Sequence, residues 1–99
     1  MAQDSVQHRD VTLNLETGLH LRPISMIVRL ANRFDCDLTI TYDNTTADAR
    51  SSLDLMAFSS RIQPGSRLIV EAKGKDAESA LDGIASLFDS NFQEDISND

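Results

Sequence analysis

The feature that most constrains this chain is that its apolar residues switch repeatedly between a spacing of two and a helical spacing. Val11 to Leu15 alternates apolar and polar residues, which is typical of a half-buried strand. From about Pro23 the apolar residues recur every three or four positions, and a strand-like segment returns at Leu38 to Tyr42. Over the whole chain the pattern predicts the order β-α-β-β-α-β-α.

The later elements follow from turn and cap signals. Asp43-Asn44 indicates a turn, so Thr45 to Ala49 is predicted to return beside the preceding strand as a hairpin. A short helix is predicted from Ser51 to about Phe58, a strand from Arg67 to Ala72, and a last helix capped by Asp76. The buried stripe of that helix is predicted to comprise Ala77, Ala80, Leu81, Ile84, Leu87 and Phe88.

Strands interleaved with helices, together with one hairpin, require antiparallel pairing. We therefore predict an α+β domain, a two-layer open-faced β-sandwich with a four-stranded antiparallel sheet and three helices on one face. The 99 residues fit one domain. We expect a flexible leader at 1–10, the domain at 11–92 and an acidic tail at 93–99.

Composition excludes several classes of function. The net charge of −7 argues against a nucleic-acid binder, which would carry a basic surface. Cys36 is the lone cysteine and is predicted to be a core residue, and no Cys/His spacing indicates a metal, so no metal or cofactor is expected. No apolar run approaches the roughly 20 residues of a bilayer span. With no signal peptide recognisable, we expect a cytoplasmic protein without membrane insertion.

The segment from Gly18 to Pro23 carries the clearest functional signal. His20 lies just before the predicted start of a helix, where proline is favoured and where the first amides lack acceptors. The helix dipole adds positive potential there. A phosphate beside His20 would therefore meet the N–H groups of Leu21 and Arg22 and the guanidinium of Arg22. The glycine allows the loop a backbone conformation that other residues resist.

Imidazole is a suitable phosphoryl acceptor because its pKa, about 6.5 when free, leaves it largely neutral and nucleophilic in the cytoplasm. Covalent capture would divide a transfer between two proteins into two displacements. A histidine near a helix start is also compatible with a cap or a surface residue, and the residues alone leave these interpretations open. His8, in a polar segment, is predicted to be a surface residue.

Two surfaces beside His20 are candidates for partner docking. Arg22, Arg29 and Arg33 fall within about 20° of one line on the first helix, which favours an acidic partner, although a solvated helix face has the same pattern. The short helix at 51–58 is apolar on two sides. Leu53, Met56 and Ala57 form one face, and Leu55 and Phe58 form the other. We expect the helix to be half buried, with one of these faces forming an exposed contact patch.

These features resemble the histidine-containing phosphocarrier family, HPr, of the phosphoenolpyruvate-dependent phosphotransferase system. Residues 18–23 match the family's pattern of Gly, an aliphatic residue, His, a variable residue, Arg and Pro. Arg50-Ser51 and the element order extend the resemblance over roughly Val11 to Phe92. The resemblance implies that phospho-enzyme I phosphorylates His20 on Nδ1 and that His20 then donates to an enzyme IIA domain of sugar transport or of a regulatory branch. Arg22 would steady the phosphoryl group.

The resemblance also implies a stoichiometric carrier rather than a free-standing enzyme, and we expect it to act as a monomer. Ser51 matches the serine that an HPr kinase/phosphatase modifies in some members, although the residues themselves favour Ser51 or Ser52 as a helix cap. A regulatory docking module controlled at Ser51 is therefore the alternative function. Leu21 and Ile24 are bulkier than usual, Ser52 replaces an apolar residue, and the loop at 58–65 is about two residues longer. The implied docking residues are Ser25, Arg29, Leu53 and Met56.

Overall fold

The computed structural model describes residues 5–93 and has the predicted order of elements. The sheet is antiparallel throughout, with the strand order β1-β4-β2-β3. Helix α3 packs against β1 and β4, α2 packs against β3, and α1 packs against both other helices, which confirms the two-layer α+β prediction. The elements are β1 (Val6–Thr12), α1 (Leu21–Ala31), β2 (Asp37–Tyr42), β3 (Thr45–Asp48), α2 (Ser52–Ser59), β4 (Arg67–Lys73) and α3 (Ala77–Asp89).

One face of the sheet is buried and the other is open, as the alternation in β4 shows. Leu68, Val70 and Ala72 are buried under the helices, while the residues between them are exposed. His8 on β1 lies opposite Glu71 on the open face, which confirms its prediction as a surface residue. The stripe predicted for the last helix is buried throughout, so α3 supplies a large share of the core.

The first strand begins at Val6, five positions before the predicted start at Val11, and it ends at Thr12. The prediction of a flexible leader is therefore wrong for residues 6–10, which pair with β4. Most of these side chains are polar and exposed, so the pairing rests on backbone hydrogen bonds that hydrophobic periodicity does not report. The remaining leader at 1–4 and the acidic tail at 94–99 lie outside the described residues.

The N-terminus of α3 differs from the prediction in one detail. Asp76 is the N-cap residue as expected, but its side chain makes no cap hydrogen bond. Its carboxylate instead accepts a hydrogen bond of 2.8 Å from the backbone N–H of Asp35. The side chain of Asp76 therefore ties the loop after α1 to the start of α3, because the tertiary donor satisfies it in place of the helix amides.

Candidate functional site

His20 is the N-cap residue of α1, and its backbone is extended, with φ −106° and ψ −167°. Its side chain is exposed and makes no cap hydrogen bond, so the interpretation of His20 as a side-chain cap is wrong. Two neighbours fix the loop in front of it. Leu19 is buried in the core, and Gly18, with φ +74°, donates a hydrogen bond of 3.0 Å from its N–H to the Leu15 carbonyl. The core therefore holds the backbone of this segment while the imidazole faces solvent.

The amides beside His20 are arranged for an anion. The first hydrogen bond of the helix runs from the N–H of Ile24 to the carbonyl of His20, at 3.0 Å. The amides of Leu21 and Arg22 precede that bond and point out of the helix end, whereas Pro23 has no N–H and is buried. The first turn contains no acidic side chain. Positive potential at this helix end is therefore not cancelled by the turn's own residues.

The guanidinium of Arg22 contacts a part of the chain that sequence reasoning missed. Its Nη1 donates a hydrogen bond of 3.1 Å to the backbone carbonyl of Phe92, which lies just beyond the end of α3. The two residues are separated by 70 positions, and no local pattern connects them. Asn91 was the available signal, since asparagine after a helix favours a left-handed C-terminal turn. One Nη1 donor is used in this contact, and the guanidinium has five N–H donors in all.

Three large apolar side chains of the helical layer are exposed: Leu21 on α1 and Leu53 and Met56 on α2, at 64%, 77% and 48%. Leu55 and Phe58 on the opposite side of α2 are fully buried, so the prediction of one buried and one exposed face is confirmed. We call these three exposed residues the apolar patch. The side chains of Ser25 and Arg29 on α1 are also exposed. Arg33 is exposed too, but α1 ends at Ala31, so the prediction of a line of three arginines on this helix is wrong for Arg33.

Ser51 is the N-cap of α2, and its side chain caps the helix. Its Oγ accepts a hydrogen bond of 3.1 Å from the N–H of Asp54. The carboxylate of Asp54 in turn accepts one of 3.2 Å from the N–H of Asp48, which ties the end of β3 to the first turn of α2. Ser52 is exposed in the first turn of the helix. The capping interpretation is thus confirmed for Ser51, and phosphorylation of either serine stays a prediction.

Arg50 lies just before α2, and its Nη2 donates a hydrogen bond of 2.6 Å to the carbonyl of Phe34. This bond ties the start of α2 to the loop after α1. Nearby, Cys36 is buried, as predicted for a core residue. Burial raises the pKa of the Cys36 thiol, although the positive charge of Arg50 acts in the opposite direction. This thiol is therefore protonated at neutral pH and is not a nucleophile of the His20 site.

Within residues 5–93, His, Cys, Asp and Glu side chains form no group of three that could hold a metal ion. Among the same residues, no helix is long and apolar enough to cross a membrane. The polar groups at the N-terminus of α1 are His20, the guanidinium of Arg22 and the amides of Leu21 and Arg22.

Comparison with known proteins gives concordant results. Residues 7–90 match the family described as "PTS HPr component phosphorylation site". The phosphocarrier protein NPr of Shewanella violacea is 36% identical over 86 residues, covering 87% of this chain and 92% of that protein. The phosphocarrier protein HPr of Vibrio cholerae is 31% identical over 81 residues, covering 82% and 93%. The crystal structure of HPr from Thermoanaerobacter tengcongensis superposes with a TM-score of 0.82 at 27% identity, covering 91% of this chain and 99% of that one.

Proposed function

This chain belongs to the HPr family of phosphotransferase-system phosphocarriers, and we propose that His20 is the residue that carries the phosphoryl group. In this proposal His20 accepts the group from phospho-enzyme I and donates it to an enzyme IIA domain. The observation that supports the proposal best is the position of an exposed imidazole at the N-terminus of α1, beside two outward-pointing amides and Arg22. No cofactor is needed for the transfer.

The chemistry at His20 follows from these neighbours. An imidazole nitrogen forms a bond to phosphorus as the bond between phosphorus and the donor breaks, and the reverse displacement releases the group to the acceptor. The resemblance assigns Nδ1 as the attacking nitrogen. The amides of Leu21 and Arg22 stabilise negative charge on the phosphoryl oxygens, and the Arg22 guanidinium adds charge-assisted hydrogen bonds. Exposure of His20 lets two different proteins reach the same atom in turn.

Both partners are proposed to dock on the surface around His20. The apolar patch supplies area that water solvates poorly, and the exposed Arg29 and Arg33 supply positive charge beside it. A partner that fits has an apolar groove bordered by carboxylates. Ser25 lies on the exposed side of α1 within this surface. Because each partner must cover the same face, the carrier acts as a monomer in this proposal, with the cytoplasm as its compartment.

The proposal is tested by incubating the protein with enzyme I and phosphoenolpyruvate labelled on phosphorus. The wild-type chain is compared with His20→Ala and with His8→Ala, which removes the other histidine of the chain from the open face of the sheet. We expect acid-labile label on the wild type and on His8→Ala, and none on His20→Ala. Chase with an enzyme IIA domain then removes the label from the carrier.

Two results would contradict the proposal. One is an unlabelled wild type under conditions in which the same enzyme I phosphorylates another carrier. The other is a His20→Ala variant that retains acid-labile label. In either case His20 is not the carrier residue. The first result makes binding of partners without phosphotransfer the account to test, and the second assigns the phosphoryl group to another residue.

A further inference from the structure

The C-terminal end of α3 is a sharply defined turn. The N–H of Phe92 donates a hydrogen bond of 2.8 Å to the carbonyl of Leu87, and the N–H of Asn91 donates one of 3.0 Å to the carbonyl of Phe88. This pair of bonds is the Schellman motif that ends many helices. Asn91 and Phe92 both have left-handed backbones, with φ of 56° and 61°. Such a conformation is unusual for a residue as bulky as phenylalanine, so the surroundings must hold it in place.

The hydrophobic core holds this turn through the side chain of Phe92. The ring is fully buried, and it meets the ring of Phe88 edge to face, with the two centroids 4.8 Å apart. A buried ring and two backbone hydrogen bonds leave the Phe92 carbonyl little freedom. That carbonyl is the acceptor for Nη1 of Arg22, at 3.1 Å. A rigid part of the core therefore contacts the guanidinium of Arg22, which lies two residues after His20.

We propose that Asn91 and Phe92 are positioning residues that preorganise Arg22 for phosphotransfer, an inference that rests on the function proposed for His20. A free arginine side chain occupies many rotamers, and freezing it during the reaction costs free energy. The Phe92 carbonyl fixes one edge of the guanidinium beforehand, and the remaining N–H groups are left to bind the phosphoryl oxygens. The effect belongs to the transfer step and not to docking, because the apolar patch is carried by other residues.

Asn91 provides a matched pair of variants. Its side chain is exposed, so substitutions there remove little packing. Asn91→Val opposes the left-handed backbone because β-branched residues rarely adopt it, whereas Asn91→Gly accommodates it. With the variants as substrates of enzyme I, we expect Asn91→Val to lower kcat by about fivefold to tenfold at an unchanged KM. Asn91→Gly should stay within about twofold of the wild type. Thermal unfolding of each variant confirms that the comparison is between folded proteins.

Two further measurements identify the mechanism. In an Arg22→Ala background, Asn91→Val should lower residual transfer no further, because the turn acts through the guanidinium. NMR relaxation of the Arg22 Nε–H group should show a restrained side chain in the wild type and Asn91→Gly, and a mobile one in Asn91→Val.

The inference is overturned if Asn91→Val transfers like the wild type, or if it loses the same factor with and without Arg22. It is also overturned if Arg22 is equally mobile in all three proteins. If the wild type accepts no phosphoryl group at all, the proposed function fails, and the NMR comparison still decides separately whether the turn restrains Arg22.

Discussion

Removing the hydroxyl of Ser51 measures what this side chain contributes as a cap. In Ser51→Ala the N–H of Asp54 loses the Oγ acceptor at 3.1 Å. Losing a serine cap costs about 1 kcal/mol, which corresponds to a decrease in Tm of about 4–8 °C for a domain of this size. Ser52→Ala is the matched control because Ser52 is exposed in the first turn and is not the N-cap residue. We expect that control to change the free energy of unfolding by less than about 0.5 kcal/mol.

The assay is urea unfolding followed by circular dichroism, with the free energy extrapolated to water for each protein. The slope of that extrapolation should be the same for all variants, since neither serine changes the surface exposed on unfolding. If Ser51→Ala and Ser52→Ala are equally stable, Oγ of Ser51 is not a cap in solution, and the reasoning from the hydrogen bond fails.

The same turn predicts how a negative charge at position 51 behaves. A charge there faces the carboxylate of Asp54, three residues along the helix, and that carboxylate already accepts a hydrogen bond from Asp48. Like charges at this spacing destabilise a helix by about 0.2–0.5 kcal/mol. At low salt, Asp54→Asn should therefore cost about 0.2–0.5 kcal/mol less stability in the Ser51→Asp background than in the wild type, where its charge meets only the helix end and the Asp48 N–H. If Asp54→Asn costs at least as much in Ser51→Asp as in the wild type, charge repulsion at this turn is not the controlling interaction.

Three further predictions concern other parts of the structure. Gly74 has φ +133°, and a Cβ there would lie 3.0 Å from the Cα of Cys36, whereas a Cβ on Gly65, with φ +92°, would meet nothing within 4 Å. Urea unfolding should therefore show a free energy of unfolding that falls about 1–3 kcal/mol more in Gly74→Ala than in Gly65→Ala. Equal losses would refute the close approach. Because burial raises the Cys36 pKa, the thiol of the unfolded chain ionises first as pH rises past about 8.5. The wild type should therefore lose more stability than Cys36→Ala between about pH 8 and pH 10. Free energies of unfolding in urea that fall in parallel with pH for the two proteins would contradict this. Arg29→Ala should raise the KM for phosphorylation by enzyme I about threefold and make that KM less dependent on salt. Arg67→Ala, on the open face of the sheet, should change neither the KM nor its salt dependence. The same change in both variants would exclude a specific role for α1.

Features that depend on neighbours in sequence were predicted well. The buried stripe of α3, the hairpin turn at Asp43-Asn44 and the position of His20 at a helix start all follow from local spacing and turn chemistry. The two-sided character of α2 also follows from its sequence, since Leu53 and Leu55 cannot face the same way on one helix.

Features that depend on distant partners were missed. Val6 to Asp10 forms a strand because β4 lies beside it, and its own side chains carry no apolar alternation. The side chain of Asp76 turns from its helix because the N–H of Asp35 is available across a tertiary contact. The contact between Arg22 and Phe92 belongs to the same class. Each requires knowledge of which segments meet, which a pattern within one segment does not contain.

The strand order also has a consequence for synthesis of the chain. The first strand ends at Thr12, and its partner begins only at Arg67, so at about 5–20 residues per second the ribosome makes the partner roughly 3–11 s later. During that interval an apolar strand would expose an edge able to pair with other unfinished chains. The run from Gln7 to Asp10 is polar and charged, which disfavours such pairing while the nascent chain is incomplete. Hydrophobic periodicity does not predict β1 because most of its residues are polar, and the same polarity protects the growing chain from association with other unfinished chains.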